Sequence, residues 1–195
     1  MVVSQPIIMG VLNITPDSFS DGGLFFDSKS AITQAEVMVQ EGAGIIDIGG
    51  ESTRPGAPEV SIEDELNRVI PVIEALSSNI DVPISIDTSK PIVMEKAFNA
   101  GASIINDVNA LRSEGALKMA ASLQADVCLM HMQGSPRTMQ KNPTYDNVVS
   151  DVKAFFEQRI EACKSAGIKL NAITLDPGFG FGKNLGHNIA LLKNL

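Results

Sequence analysis

Short apolar runs alternate along the chain with stretches of helical period, and each run ends in polar side chains. The runs are "PIIMGVLNI" (6–14), "GIIDIGG" (44–50), "PISIDT" (83–88), "SIINDV" (103–108), "DVCLMHM" (126–132) and "AITLDPG" (172–178). Their Ile- and Val-rich cores suit strands buried on both faces, as in a parallel sheet. Between them, "SAITQAEVMVQEGA" closes at Gly42, a residue suited to the position just past a helix end. "SIEDELNRVIPVIEALS" opens on Ser61 with Asp64 three residues on, a capping-box spacing, and Pro71 inside it predicts a kink or an early stop. "SKPIVMEKAFNAGA" predicts a helix capped by Ser89, with Pro91 in its first turn and Gly101 at its end. "SEGALKMAASLQA" and "DNVVSDVKAFFEQRIEACKSAG" follow, the second closed by Gly167, and a last helix starts near residue 187.

The order is a strand and a helix, six times over. Such alternation implies right-handed crossovers and a parallel sheet, leaving an open doubly wound sheet or a (β/α)8 barrel. "GFGFG" (178–182) lacks the G-x-G-x-x-G spacing expected of a dinucleotide-binding sheet. The polar residue at nearly every strand end favours the barrel, because the active sites of such barrels gather there. The fold class is therefore α/β, a (β/α)8 TIM barrel with about six of its eight units present. Such barrels run to roughly 250 residues, and six strands cannot close one. Residues 1–195 are accordingly expected to form a single barrel domain that lacks the seventh and eighth units and to be part of a longer polypeptide.

Charge narrows the partners. A formal net charge of -8 over 195 residues argues against a nucleic-acid surface and against a binder of acidic membranes. The two cysteines, Cys128 and Cys163, form no metal or redox spacing and read as reduced packing residues. No basic start with a long apolar core marks a signal peptide, and no run reaches the ~18 apolar residues of a membrane span. The expectation is a cytoplasmic protein acting on small molecules.

The strand ends carry Asn13, Asp87, Asn106, Asp107, Met130, His131 and Asp176, and Asp47 lies within the second strand. Taken singly, an Asp there usually caps the next helix, and His131 reads as structural. Together, acidic groups aimed into one mouth repel one another, so a ligand that satisfies them is expected. Carboxylates and an Asn amide match a flat neutral heterocycle with a guanidine-like edge, such as a 2-amino-4-oxo pyrimidine ring. "NITPDSFSDGG" suits a mobile lid. "GGESTRPGA" offers Ser52, Thr53 and Arg54 as a phosphate-type grip. Asn13 and the loop aspartates supply hard oxygens that suit Mg²⁺ carried in with a diphosphate.

"GVLNITPDSFSDGG" and "GAGIIDIGGESTRPGA" resemble the two signature segments of the dihydropteroate synthase family. "SIDTSKP", "IINDVNAL", "VCLMHMQGSP" and "LDPGFGFGKN" resemble its later strand ends, in the same order. The resemblance implies a transferase of folate biosynthesis. Such an enzyme joins 6-hydroxymethyl-7,8-dihydropterin diphosphate to p-aminobenzoate, releases diphosphate, and is a target of sulfonamides. It implies that Asp87, Asn106 and Asp176 hold the pterin, with Met130 and Val108 beside the ring. It implies Asn13 as the Mg²⁺-linked residue, and it places Thr53 and Arg54 in the family's second flexible loop. Phe19, Pro55 and Phe181 would wall the aminobenzoate pocket. Asp87, Arg54 and Thr53 are the residues expected to act on the chemistry. The family's strand-seven Lys and strand-eight Arg-x-His have no counterpart here, so this segment alone is expected to be inactive. The family's homodimer, formed largely by its last helices, is expected only at full length. Two other readings stay open: a pterin-binding methyltransferase module and an inactive homologue.

Overall fold

A computed structural model describes residues 5–15, 23–52, 57–134, 138–140 and 142–195. Among them, six strands form one parallel sheet in sequential order: β1 (Met9–Asn13), β2 (Ile45–Gly49), β3 (Ile84–Asp87), β4 (Ile104–Asp107), β5 (Asp126–Met130) and β6 (Ile173–Asp176). The helices between and after them are α1 (Gly23–Gln40), α2 (Ile62–Ser77), α3 (Pro91–Ala100), α4 (Ala116–Ser122), α5 (Val148–Ser165) and α6 (Leu185–Leu192). Each strand pairs with the next in sequence, and α1, α2, α3 and α4 pack side by side in turn. A doubly wound sheet would reverse its strand order at one point. This sheet does not, and it is the arc of a (β/α) barrel.

The core lies between sheet and helices. Successive side chains of a strand point to opposite faces, and Leu12, Ile46, Ile48, Ile86, Ile105, Val127 and Leu129 are buried on the helix side. They meet Ala31 and Ala35 of α1, Val69, Ile73 and Leu76 of α2, Met94 of α3 and Ala120 of α4. The strands are thus not apolar on both faces, as their Ile/Val content had predicted. The other face carries Asp47, Ser85, Asp87 and Asn106, which alternate with the isoleucines.

Three local expectations change. Pro71 neither breaks nor ends α2, which continues to Ser77. Pro71 and Asn67, four residues before it, both lie on the exposed side, so water can reach the carbonyl that the proline leaves unbonded. The stripe of Val69, Val72, Ile73 and Leu76 meanwhile holds the helix down. Ser89 does not cap α3: the cap position is Lys90, and the Ser89 hydroxyl donates to Asp107 instead. α1 begins at Gly23, seven residues before the predicted start, since no breaker interrupts residues 24–30 and each added residue gains a hydrogen bond. Ser61 caps α2 as expected, accepting from the Asp64 N–H at 3.0 Å, and Gly101 ends α3 at φ 120°.

Candidate functional site

Parallel pairing sets the geometry of the mouth. Register aligns Asn13, Gly49, Asp87, Asn106 and Cys128 across five neighbouring strands, and one step further along the strands Met130 stands opposite Asp176. Gly49 keeps the space between two of these groups open. A Cβ there would lie 3.4 Å from Asn13 Oδ1 and 3.5 Å from Asp87 Oδ2.

Asp47 lies one layer deeper and is 2% exposed. Asn106 Nδ2 donates to its Oδ2 at 2.9 Å, which turns the amide so that its oxygen is left to accept from a ligand. Burial pushes the Asp47 carboxyl up, while the facing Ser85 hydroxyl and Asn106 amide pull it back. Asp87 is held well above the ordinary carboxylate range, first by desolvation and then by repulsion from Asp47, Asp107, Glu65 and Glu51. A ligand that brings N–H donors to Asp87 therefore relieves a cost already present.

Cys128 lies among the same carboxylates. Burial, then Asp176, Asp47 and Asp87, push its thiol up to about 12. Cys163, on α5, is fully buried in the core, and its thiol is also raised by burial. Thiolate is the reactive form. A thiol-disulfide reagent at pH 8 is therefore expected to modify neither cysteine of the folded protein and both in denaturant. A fast reaction in the native state would contradict this placement.

A second group stands beside the first. Met130, Met132 and Met139 form an apolar cluster with Val108 and Phe181 packed against it. Asp176 Oδ1 accepts the Gly178 N–H at 2.8 Å and so starts the following loop. His131, just past β5, is 7% exposed and held neutral: burial and the Lys183 charge lower its imidazole to about 4. Both features suit a structural histidine, the reading it has when taken by itself.

A cleft of about 400 Å³ opens over the ends of β2, β3 and β4, lined by Ser52, Asp87, Lys90, Val108, Asn109 and Met132 among others. Asn106 stands in register beside the lining Asp87, and neither it nor Met130 nor Asp176 lines the cleft. Lys90 bridges Glu51 and the fully buried Glu65. Burial lowers the Lys90 ammonium, but the two carboxylates outweigh it and the net shift is upward. Asp107 is satisfied, accepting from Asn109 N at 2.8 Å, Leu111 N at 2.7 Å and the Ser89 hydroxyl, so it holds its own loop and not a ligand. Phe19, Thr53, Arg54 and Pro55 lie outside the described residues. Among the described residues no three His, Cys, Asp or Glu side chains gather as a metal site, and Asn13 offers an exposed amide.

The sequence reading missed the Asp47–Asn106 pair as a unit, and the Glu51–Lys90–Glu65 bridge. Asp47 was visible at a strand centre. Glu65 was visible as an acid on the stripe of Val69, Val72 and Leu76, where an unpaired charge would be costly.

A family model described as pterin binding enzyme matches residues 9–195. The curated dihydropteroate synthase of Haemophilus influenzae is 56% identical over 193 residues, covering 99% of this chain and 70% of that protein. The crystal structure of Yersinia pestis dihydropteroate synthase with a sulfonamide drug superposes with a TM-score of 0.93 at 53% identity, over 100% of this chain and 70% of the other. The Xanthomonas albilineans enzyme in complex with 7,8-dihydropteroate gives 0.86 at 45% identity, over 99% and 68%. With a matched model over nearly its whole length and relatives above half identity, the chain belongs to the pterin-binding enzymes and, among them, to the dihydropteroate synthase family.

Proposed function

We propose that this protein is a transferase that joins 6-hydroxymethyl-7,8-dihydropterin diphosphate to p-aminobenzoate, giving 7,8-dihydropteroate and diphosphate. One observation carries the reading: Asp87 and Asn106 stand side by side in register, the amide turned by Asp47, on a face crowded with carboxylates. That surface asks for a donor-rich neutral edge, which the amino-pyrimidinone ring of a pterin supplies. Asp176 takes part from the far side, and Met130 and Val108 pack against the ring. The dihydropteroate bound to the Xanthomonas relative supports this choice of ligand.

The chemistry follows from charge. The bond between the pterin methylene carbon and the diphosphate oxygen breaks, leaving positive charge that the dihydropterin ring shares. The Asp87 carboxylate favours that cation. The aryl amine nitrogen then bonds to the methylene carbon and loses its extra proton to solvent, with no covalent enzyme intermediate. Ser52, Thr53 and Arg54 grip the departing diphosphate. Phe19, Pro55 and Phe181 wall the amine pocket and keep water from the cation. Mg²⁺ fits this site as an ion brought by the diphosphate. Asn13 gives one hard oxygen beside Asp87, no carboxylate cage competes among the described residues, and Mg²⁺ commonly keeps waters and substrate phosphates as its other ligands. Bound there, it would help to spread the charge of the leaving group. The same reading takes the enzyme as cytoplasmic and, at full length, a homodimer. Among the described residues no helix is long and apolar enough to cross a membrane.

The test is diphosphate release on mixing the full-length protein with the pterin diphosphate, Mg²⁺ and p-aminobenzoate. Release that depends on the amine is expected. Tight pterin binding without release would assign a binding module, and methyl transfer to cob(I)alamin would assign the methyltransferase.

A further inference from the structure

We propose that Lys183 is a positioning residue for the amine side of this site: its ammonium fastens the segment 177–183 to the end of β5 and thereby sets where Phe181 stands. The inference rests on the reading above only in taking Phe181 as a wall of the amine pocket.

Lys183 is 3% exposed, and its bonding partners among the described residues are neutral. Its Nζ lies 3.0 Å from His131 Nδ1, 3.1 Å from His131 O, 3.0 Å from Gly178 O and 2.9 Å from Phe181 O. Three protons thus serve four acceptors drawn from two segments, a cage built mostly of carbonyls around one cation. Since an ammonium only donates, Nδ1 must accept, and the ring proton sits on Nε2. Burying a cation among neutral dipoles is costly. Retention at such cost, beside a site, points to a need for placement more than for stability.

The cage controls a short lever. Gly178 O also accepts from Phe181 N at 3.0 Å, so the Lys183 contact and the turn that carries Phe181 share one oxygen. Tyr145 donates its hydroxyl to Gly182 O at 2.7 Å on the outer side. Without the ammonium, three carbonyls lose this donor and must turn toward water. The turn then opens, and Phe181 leaves the cluster of Met130, Met132 and Met139. Asp87 and Asn106 lie on β3 and β4 and share no atom with the lever. Asp176 touches the lever only at its base, where its Oδ1 accepts the Gly178 N–H at 2.8 Å, and it stays in the ladder through the His131 N–H, at 2.9 Å from its carbonyl oxygen. The effect should therefore fall on the amine and spare the pterin.

Lys183→Met in the full-length protein is the direct test, with Lys183→Arg as a variant that keeps the charge. In K183M the KM for p-aminobenzoate is expected to rise about tenfold or more, with the KM for the pterin diphosphate within about twofold. K183R should fall between K183M and the unaltered protein. Phe181→Ala should reproduce the amine-selective rise, and the double variant should add little to it. Equal rises in both KM values, or none, would overturn the proposal. A second arm needs no turnover and no change at Lys183. With only two histidines and one tyrosine in the chain and no tryptophan, imidazole nitrogen NMR and tyrosine fluorescence report on this corner. His131 Nδ1 is expected to resonate as an unprotonated acceptor, and a proton there would overturn the latch even if K183M did not fold. If the unaltered protein showed no amine-dependent release, the function reading would fail, while this arm still decided the contact.

Discussion

An Asp87→Asn protein is expected to melt higher than the unaltered protein and to lose its turnover. Asp87 is half-buried, and its carboxyl is held well above 3.8 by desolvation and by four neighbouring acids. The sign follows from proton linkage. A raised folded value means that the folded state binds a proton the unfolded chain has released, so stability is complete below the unfolded value and falls as pH rises through the folded one. Near neutrality that cost is being carried. Asparagine has nearly the same shape and no charge, so the cost disappears. A gain on the order of 1–2 kcal/mol is expected, the usual size for relieving a strained functional position. The loss of function comes from donor chemistry: an amide turns N–H groups toward a ring edge that also donates, where the carboxylate accepted twice. A fall of about 10³-fold or more in kcat/KM is expected, as when a buried polar pairing is broken. Asp107→Asn is the contrast. Its two oxygens accept from Asn109 N, Leu111 N and Ser89, and an amide can serve only one side, so that variant should melt lower, by about 1–3 kcal/mol. Thermal melts of the three proteins, with kinetics beside them, settle the matter. If D87N melted lower or kept its activity, Asp87 would not be a donor-seeking group under repulsion.

The contrast between these two acids shows where the sequence stops being informative. Both end an apolar run, and nothing local separates a carboxylate that grips a ligand from one that ties its own loop. The separation comes from facing: Asp107 falls on the helix side with Ile105, Asp87 on the inner side with Ser85. Strand positions were legible because each Ile/Val run ends in polar side chains. The inner face was legible too, in the alternation of Ile46, Asp47 and Ile48, although the apolar content had read as two buried faces. Barrel against open sheet was not decidable from periodicity, since both use the same units; the sequential strand order decides it. The site residues on β3, β4 and β6 follow from the strand-end rule. Lys183 does not, because three of its four partners are backbone oxygens and leave no mark in residue type. Pro71 and Ser89 misled for a related reason. Solvent access rescued one, and a competing acid 18 residues away in sequence captured the other.

Gly178→Ala is expected to be among the most destabilising single changes in the chain, although it adds one methyl group. Gly178 sits at φ +66°, where an L side chain crowds its own carbonyl at a cost of about 1–2 kcal/mol. Collision with the neighbouring strand end costs more. A Cβ at Gly178 would stand 2.1 Å from His131 O and 3.2 Å from His131 C. His131 cannot move aside, because its N–H is in the ladder with Asp176 and its carbonyl is held by Lys183. The segment must therefore lift, giving up the Asp176–Gly178 turn and the Lys183 cage together. A loss of more than about 3 kcal/mol is expected, in the range reserved for overpacking joined to backbone strain. At roughly 2–4 °C per kcal/mol for a chain of this size, the melting temperature should drop by about 6 °C or more. Gly180→Ala isolates the strain. Gly180 sits at φ +83° with nothing within 4 Å of its Cβ position, so its alanine should cost about 1 kcal/mol and no more. The two variants lie two residues apart in one loop and differ only in what stands opposite. Equal melting temperatures would mean that the loop does not press against the end of β5. The placement of Phe181 and the cage around Lys183 would then lose their physical basis.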